Sequence, residues 1–219
     1  MSATPSGDLH GLRFDYAKGE LLERDASADP IDQFRRWFAE ASATNTRDVN
    51  AMSVATVDPN GKPSVRICLL KSFSHTGFTF FTNITSPKAN HIAKNPNVAL
   101  CFWWMPLERQ VRIDGIAEPV DRAEAERYFQ SRPIGSQIAA SISRQSSVIP
   151  SRDELEQKHA QLLAQHANDS AIAMPPTWGG FHVTPSAIEF WQGRPSRLHD
   201  RLLYTQQSDG KWSMQRLSP

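Results

Sequence analysis

Apolar side chains recur at helical spacing in one segment near the N-terminus: Ile31, Phe34, Trp37, Phe38 and Ala41. Asp29 and Pro30 stand just before them, which suits a helix cap followed by a proline in the first turn. The pattern predicts a first helix over roughly residues 30–44. Residues 1–28 are polar and show no sustained period, so we expect a mobile N-terminal arm.

Alternating and continuous apolar runs predict strands over much of the remaining chain. AMSVATV and KPSVRICLLK flank DPNG, which indicates two strands joined by a tight turn. Further strands are predicted at GFTFFTN, NVALCFWW, LERQVRIDGIAEPV, FHVTP, AIEFWQG, RLHDRLLYT and KWSMQRL.

Helix signals lie between these groups of strands. Ser86 can cap a helix that begins at Pro87, and Asp121 with Glu124 forms a capping-box pattern for a second helix. Pro133 ends that helix, and further helices are predicted over 134–143 and 153–167. Hairpin-linked strands with helices inserted between them favour a single, mainly β domain of the α+β class over 29–219, built on a β-barrel or a strongly bent sheet.

Composition narrows the function classes. The 219 residues include 24 Lys plus Arg against 23 Asp plus Glu, so no net field attracts nucleic acid or anionic lipid. The chain lacks an apolar signal region and any run of membrane-spanning length, so we expect a cytoplasmic protein.

Rossmann, P-loop, GxSxG and HExxH motifs are absent. Cys68 and Cys101 lie in apolar segments and suit buried free thiols, and no cluster of metal-ligand spacing predicts a metal site.

Three cations in two segments are candidates for binding an anion. Arg66 and Lys71 lie in RICLLK with opposite strand parity, so one of them would act from a strand end or across a barrel rim. Solvated cations on apolar stems are the alternative. Lys88 falls in the first turn of a helix, where it opposes the dipole, and a bound phosphate would resolve that conflict. An exposed lysine without a ligand is the alternative there.

A helix-break-helix segment offers a second set of donors. Tyr128 and Arg132 are four residues apart and share a helix face. Pro133 then begins a new helix whose first turn holds the Ser136 hydroxyl, so these groups can converge on one phosphate. The alternative is a plain helix corner.

The segment RLHDR carries three potential donors. If 198–204 is a strand, Arg197, His199 and Arg201 share one face. Three donors on one side favour an anion or an electron-rich ring as the partner. Asp200 lies on the opposite face, and the pattern offers no role for it.

Nine motifs occur in an order and spacing that resemble the pyridoxine/pyridoxamine 5'-phosphate oxidase family, from about residue 10 to the C-terminus. They are RxxY (13–16), RICLLK (66–71), FFTN (80–83), SPKA (86–89), LERQV (107–111), YFQSRP (128–133), RQSS (144–147), EFWQG (189–193) and RLHDR (197–201). Any one of these motifs would be a weak signal, but the ordered set is specific.

The resemblance implies an FMN-binding split β-barrel with peripheral helices, and a homodimer with FMN at the subunit interface. It also implies oxidation of pyridoxamine or pyridoxine 5'-phosphate to pyridoxal 5'-phosphate, with O2 reduced to H2O2. A related split-barrel flavin oxidase acting on another substrate, such as a phenazine precursor, is the alternative. Such an oxidase should lack the substrate-phosphate donors. A non-enzymatic flavin- or pyridoxal-phosphate-binding module is a further alternative.

The resemblance also assigns site residues. Those expected to bind FMN are Arg66, Lys71, Phe81, Thr82, Lys88, Gln110, Gln145, Ser146, Trp191 and Arg201. Those expected to bind substrate are Arg13, Tyr16, Lys71, Tyr128, Arg132, Ser136, Arg197 and His199, with Arg197 and His199 in the catalytic position beside the pyridine ring. Arg13 and Tyr16 would belong to an arm that closes over the substrate.

One position departs from the family pattern. Members commonly have arginine before the lysine of SPKA, whereas this chain has Pro87. Proline suits the first residue of a helix but supplies neither a guanidinium nor an N–H donor. The departure predicts weaker FMN binding with the site retained, and Ser86 or Thr85 as a substitute donor.

Overall fold

The computed structural model describes residues 14–166 and 172–219, which hold nine strands and five α-helices. The described residues divide into two compact units. Unit 1 comprises the chain up to Thr46, Trp103–Val111 and Glu189–Pro219, and unit 2 comprises Arg47–Phe102 and Arg112–Ile188. The single domain predicted over 29–219 stays a prediction.

Unit 1 is built on helix α1 and an aromatic core. Helix α1 spans Pro30–Ala43, and the Asp29 carboxylate accepts the Ile31 N–H at 2.7 Å, which confirms the predicted cap. The apolar face of α1 supplies Phe34 and Trp37, both fully buried. Trp37 packs edge-on against Phe190 at 5.2 Å between ring centroids, and this contact joins α1 to the end of β7.

The C-terminal strands of unit 1 form a hairpin. Strands β8 (Asp200–Gln206) and β9 (Trp212–Arg216) pair antiparallel, and β8 also pairs with β7. Gly210, at φ +81°, lies in the turn between them, which agrees with the predicted Ser-Asp-Gly turn. Short 3₁₀ turns occupy Glu23–Asp25, Met105–Leu107 and Pro195–Arg197.

The prediction for RLHDR is wrong in one respect. Pro195–Arg197 is a 3₁₀ turn in which Ser196 and Arg197 have φ of +55° and +63°, and β8 begins only at Asp200. Arg197 and His199 therefore precede the strand, and alternation does not place them on one face with Arg201. The proline and the left-handed backbone of the turn explain the later start of the strand.

Part of the polar N-terminal segment is anchored within unit 1. Leu21 is buried, and its backbone N–H donates to the Asp200 carboxylate at 3.0 Å. The Tyr204 hydroxyl donates to the Ser27 carbonyl at 2.8 Å. These contacts hold residues 21–27, so the prediction of a mobile arm over 1–28 is wrong for that stretch. Residues 1–13 lie outside the described residues, and for them the arm stays a prediction.

Unit 2 contains an antiparallel sheet. Its strand order is β2-β1-β5-β6-β7-β4-β3, with β5, β6 and β7 continuing along the chain into unit 1. The bounds are β1 Ala51–Val57, β2 Pro63–Leu69, β3 Ser72–Ser74, β4 Gly77–Asn83, β5 Asn97–Trp104, β6 Arg109–Pro119 and β7 Trp178–Gln192. Strand β7 is continuous where two separate strands, FHVTP and AIEFWQG, were predicted.

Alternation along β2 separates two kinds of side chain. Val65 and Ile67 are 67% and 65% exposed, whereas Arg66 and Cys68 on the other face are half-buried. Strand β2 pairs with β1 in the predicted hairpin, with Val54 opposite Arg66 and Thr56 opposite Ser64. Arg66 is thus turned toward the interior side of this hairpin.

The helices of unit 2 are α2 (Pro87–Lys94), α3 (Arg122–Gln130), α4 (Ile134–Ile142) and α5 (Arg152–Gln165). Asp121 caps α3 by accepting the Glu124 N–H at 2.7 Å, as the capping-box pattern predicts. Phe129 of α3 and Ile138 of α4 are fully buried in a core cluster with Ile172 and Met174. No helix among residues 14–166 and 172–219 is both long enough and apolar enough to span a membrane.

Candidate active site

Arg66 is held at one end of its guanidinium group. Its Nη1 donates to the Val54 carbonyl at 2.9 Å and to the Thr56 hydroxyl at 2.8 Å, and its Nη2 donates to the Ser64 hydroxyl at 2.9 Å. Arginine carries five N–H donors, so Nε–H and one Nη2–H have no protein partner among the described residues. They remain available for a ligand.

Lys88 is buried in the first turn of α2. Its Nζ donates to the Gln145 side-chain oxygen at 2.6 Å, to the Thr82 hydroxyl at 3.1 Å and to the Ser86 hydroxyl at 3.4 Å. Ser86 occupies the N-cap position of α2, but its side chain makes no capping hydrogen bond. The lysine therefore brings β4 and the 144–147 segment together at the start of the helix.

Arg66 and Lys88 form a cationic cluster with Thr82 and Gln145. Burial lowers the pKa of Lys88, and the nearby positive charge of Arg66 lowers it further. Burial also lowers the pKa of Arg66 and raises the pKa of the Cys68 thiol between them. Among residues 14–166 and 172–219, no carboxylate lies within ion-pair distance of either cation.

This arrangement fits a bound phosphate. Burying two neighbouring cations costs free energy unless a counter-charge is present, and the described protein supplies none. The donors still free on Arg66 and the helix N-terminus beside Lys88 both favour an anion. The phosphate of FMN, the cofactor implied by the motifs, is an anion of the right charge for this cluster.

A second cluster in unit 2 contains Lys71, Phe81 and Tyr128. The Phe81 and Tyr128 rings stack at 4.1 Å between centroids with 17° between planes. The Lys71 ammonium lies 5.8 Å from the centre of the Tyr128 ring. Lys71 follows the end of β2, which agrees with the prediction that one of the two cations acts from a strand end. Lys71 and Phe81 both meet Tyr128 of α3.

Arg132 lies in the short break between α3 and α4. Its guanidinium carbon is 4.2 Å from the centre of the Trp178 ring and 5.8 Å from that of Phe129. Burial lowers the pKa of Arg132, and the nearby Tyr128 raises it. Arg132 Nη1 and Trp178 Nε1 are buried without a hydrogen-bond partner among the described residues. Arg132 and Trp178 also line a cavity of about 460 Å³ in unit 2, and a polar ligand bound there would offer an acceptor to such donors.

Ser136 lies in the first turn of α4, as predicted, after Pro133 in the N-cap position. Helix α3 ends at Gln130, so Arg132 lies in the break before α4, and the prediction that it shares a helix face with Tyr128 is wrong. Ser146 follows Gln145 with φ +68° and is exposed.

In unit 1, aromatic rings gather around His199. The ring centroids of Trp191 and His199 are 4.6 Å apart, and Tyr16 lies 5.8 Å from Trp191 and 5.7 Å from His199. Tyr16, Arg197 and His199 line a cavity of about 520 Å³ within this unit. The cavity is therefore lined by the two residues expected beside the pyridine ring, Arg197 and His199, and by Tyr16 of the expected arm. Arg13 lies outside the described residues.

The protonation state of His199 follows from its contacts. The Arg194 backbone N–H donates to His199 Nδ1 at 3.1 Å, which requires a lone pair on that nitrogen. Burial lowers the pKa of His199, the positive charge of Arg197 lowers it further, and Asp200 opposes both. The imidazole is therefore neutral at pH 7, with its proton on Nε2.

Arg201 and Gln110 are the remaining expected FMN contacts in unit 1. Arg201 Nε donates to the buried Glu189 carboxylate at 2.7 Å, and its Nη1 donates to the Ser218 carbonyl at 2.8 Å. The hydrogen bond that Arg201 donates to Glu189 raises the pKa of Arg201. Gln110 is half-buried near the start of β6.

Two family profiles match the chain over most of its length. Residues 38–166 match a profile described as pyridoxamine 5'-phosphate oxidase, and residues 178–219 match one described as the pyridoxine 5'-phosphate oxidase C-terminal dimerisation region. The chain belongs to the pyridoxamine 5'-phosphate oxidase family. The resemblance predicted from the ordered motifs is thus confirmed.

Relatives in this oxidase family match nearly the whole chain. The pyridoxine/pyridoxamine 5'-phosphate oxidase of Ralstonia pickettii is 50% identical over 208 residues, covering 95% of this chain and 97% of the relative. The chloroplastic enzyme of Arabidopsis thaliana is 46% identical over 218 residues, covering 98% of this chain and 41% of its own length.

Solved structures agree with the family assignment. PhzG from Burkholderia lata, crystallised with tetrahydrophenazine-1-carboxylic acid, is 28% identical with a TM-score of 0.86, covering 93% of this chain and all of its own. An FMN-binding protein from Nostoc punctiforme related to the oxidase family is 18% identical with a TM-score of 0.69, covering 85% and 97%. The predicted fold class, an α+β split barrel with peripheral helices, is confirmed.

Three residues contact the expected site residues of this oxidase-family chain but were not predicted as site residues, although Glu189 lies within the EFWQG motif. Thr56 contacts Arg66, Trp178 contacts Arg132, and Glu189 contacts Arg201. The DPNG turn sets the register of the β1–β2 hairpin, so it places Thr56 diagonally across from Arg66. No turn motif links the residues of the other two contacts, so no local pattern indicates them.

Proposed function

We propose that this protein oxidises pyridoxamine 5'-phosphate and pyridoxine 5'-phosphate to pyridoxal 5'-phosphate with FMN as cofactor, reducing O2 to H2O2. The observation that carries the proposal is a pair of neighbouring cations without a carboxylate partner, the half-buried Arg66 and the buried Lys88. Relatives about 50% identical over 95% of the chain, named for this reaction, support it.

Arg66 and Lys88 would hold the FMN phosphate. Thr82 and Gln145, which accept hydrogen bonds from Lys88, would line the same side of the cofactor. Lys71, Phe81 and Ser146 are the other proposed flavin residues of unit 2. Gln110, Trp191 and Arg201 of unit 1 complete the proposed flavin residues. Bound FMN would supply the redox chemistry, taking two electrons from the substrate and passing them to O2.

The substrate phosphate would be bound by Lys71, Tyr128, Arg132 and Ser136. The unpaired Arg132 Nη1 is a donor that needs such an acceptor, and Lys71 contributes a second positive charge beside Tyr128. Fixing the phosphate restricts the position of the substrate C4' carbon, which lowers the entropic cost of reaching the reactive geometry.

Arg197 and His199 would face the pyridine ring. The neutral His199 can donate a hydrogen bond from Nε2 while Nδ1 accepts from Arg194, so it can orient a polar ring substituent. Arg197 is exposed at the cavity and can place its charge against the ring or its oxygen. Tyr16, with Arg13, would cover the substrate from the N-terminal side.

A homodimer is part of the proposal. The C-terminal 178–219 region matches a dimerisation profile, and β2 stands at one end of the strand order with an exposed apolar stripe of Val65, Ile67 and Leu69. Such a stripe on an edge strand needs cover, and a second copy of the chain is the occupant that the profile favours.

Oxidation of a phenazine precursor is the second candidate, because PhzG is similar in fold over 93% of this chain. A substrate of that kind has no phosphate and gives no role to the unpaired donor on Arg132 or to Lys71. The phosphate donors therefore favour the first candidate.

Oxygen uptake tests the proposed function. The purified protein, supplemented with FMN, should show a flavin spectrum and consume O2 when pyridoxamine 5'-phosphate is added, forming one pyridoxal 5'-phosphate per O2. A protein that stays colourless and inactive with added FMN would refute the proposal. Oxygen uptake with a dihydrophenazine carboxylate but not with pyridoxamine 5'-phosphate would establish the second candidate.

A further inference from the structure

Behind Arg66 lies a short chain of hydrogen bonds that the proposed reaction does not use directly. The Thr56 hydroxyl accepts from Arg66 Nη1 at 2.8 Å and lies 3.1 Å from His91 Nδ1. Thr56 is fully buried on β1, and His91 is half-buried on α2, one helical turn after Pro87. The three residues come from three different elements of unit 2.

The donor and acceptor roles along this chain follow from its two ends. Arginine has no acceptor, so the Thr56 oxygen must accept from Arg66. The single hydroxyl hydrogen of Thr56 is then free to point to His91 Nδ1, which accepts it when the imidazole carries its proton on Nε2. Because Thr56 is buried, water cannot replace His91 as that acceptor.

We propose that His91 is a positioning residue for the phosphate-binding Arg66 and acts through the Thr56 hydroxyl. This inference rests on the proposed function, because it assumes that Arg66 binds the FMN phosphate. His91 orients the Thr56 oxygen toward Arg66 Nη1, and the Val54 carbonyl holds the other Nη1 hydrogen. The guanidinium is thereby fixed in the orientation that leaves Nε–H and one Nη2–H free for the phosphate.

Pro87 makes the orientation of Arg66 more important for FMN binding in this chain. Pro87, the first residue of α2, offers neither a side-chain donor nor a backbone N–H, so more of the phosphate binding depends on Arg66 and Lys88. Correct orientation of Arg66 then has a larger effect on the affinity for FMN.

The test compares FMN with riboflavin, which has the same ring system and no phosphate. Dissociation constants for both are measured by flavin fluorescence at about pH 8, above the ordinary titration range of imidazole and phosphate. The variants are Thr56→Val, His91→Phe and the double variant, with His91→Asn to restore an acceptor at the Nδ1 position. Thermal unfolding verifies that each is folded, and His91→Leu replaces His91→Phe if the latter is not.

His91→Phe should weaken FMN binding about tenfold and leave riboflavin binding unchanged. His91→Asn should recover most of that loss, and adding His91→Phe to Thr56→Val should cause no further loss, since His91 acts only through Thr56. An unchanged ratio of FMN to riboflavin affinity in His91→Phe, or losses that add in the double variant, would overturn the inference while leaving the proposed function intact.

A third possible result concerns the phosphate site itself and not the role of His91. If the unsubstituted protein binds FMN no more tightly than riboflavin, the phosphate site itself is wrong, and both the inference and the proposed role of Arg66 fail. That outcome is read from the unsubstituted protein alone, so it is distinguishable from a failure of the His91 variants.

Discussion

Pro87 occupies the first residue of α2 and is exposed beside the buried Lys88. Replacing it with arginine adds a positive charge and a backbone N–H at a helix N-terminus that the proposed FMN phosphate approaches. We expect Pro87→Arg to tighten FMN binding about tenfold, measured by fluorescence titration. Pro87→Ala, which restores only the N–H, should have a smaller effect. Equal or weaker binding in Pro87→Arg would contradict this account of the departure.

The lowered pKa of His199 predicts how kcat/KM depends on pH. A histidine whose pKa is lowered in the folded protein is stabilised in its neutral form, and the contact with Arg194 is lost as the pH falls below 6.5 through the lowered pKa. We therefore expect kcat/KM to show an acid limb below pH 6.5.

His199→Asn is the matched variant, because its side-chain oxygen can accept the same Arg194 N–H and does not titrate. The variant should be slower at every pH, and the ratio of its kcat/KM to that of the unsubstituted protein should rise as the pH falls. Titration of the substrate phosphate affects both proteins equally. A ratio independent of pH between about pH 5 and 8 would remove His199 from the titrating groups.

The sequence patterns predict which residues form the site, but not most of the contacts between them. Lys88 was predicted in a helical first turn because a proline and a serine mark the helix start locally. Its partner Gln145 lies 57 residues away, and the stacked pair Phe81 and Tyr128 is likewise distant in sequence. Such pairs depend on tertiary packing, which local periodicity does not encode.

At the scale of elements, Asp200 joins the start of β8 to the N-terminal segment. Its carboxylate accepts from the Leu21 N–H at 3.0 Å and from Arg216 Nη1 at 2.8 Å, and its side chain is 14% exposed. We expect Asp200→Asn to lower the free energy of unfolding by about 2 kcal/mol, because a charged acceptor is lost from a mostly buried site. Urea unfolding with an unchanged m-value measures this.

Asp209→Asn is the control for Asp200. The chemical change is the same, but Asp209 is an exposed partner of Lys211 at 3.3 Å, so the expected change is within about 0.5 kcal/mol. Equal effects of the two substitutions would contradict the anchoring role of Asp200.

The elements themselves show where sequence patterns succeed. Helices α1 and α3 begin where Asp29 and Asp121 predict, because a cap acts within three residues. The strand face predicted for RLHDR was wrong, because the alternation of charge resembles a strand although Pro195 begins a turn before β8. A proline within two residues of a predicted strand start outweighs the periodicity.

For the whole molecule, the apolar stripe on β2 predicts the oligomeric state. Ile67 is 65% exposed in the single chain, and we expect it to be covered in a homodimer. Ile67→Glu should weaken dimerisation on the order of a hundredfold, because a charge would be buried at the interface without a partner. Sedimentation measures the dissociation constant.

Ile67→Val retains an apolar side chain at this position and should remain dimeric. A dimer unaffected by Ile67→Glu would place the interface elsewhere on the chain. That result would leave the proposed FMN and substrate residues unaffected, but it would rule out β2 as the dimer interface.

The central claim, flavin-dependent oxidation of a phosphorylated vitamer, is tested most directly without oxygen. FMN-loaded protein is mixed anaerobically with pyridoxamine 5'-phosphate, and the oxidised flavin absorbance is followed. We predict that it disappears with formation of one pyridoxal 5'-phosphate per flavin, and that unphosphorylated pyridoxamine acts at least a hundredfold more slowly, because Lys71 and Arg132 then lack their anion. An absorbance unchanged by pyridoxamine 5'-phosphate, or lost equally fast with pyridoxamine, would contradict the claim.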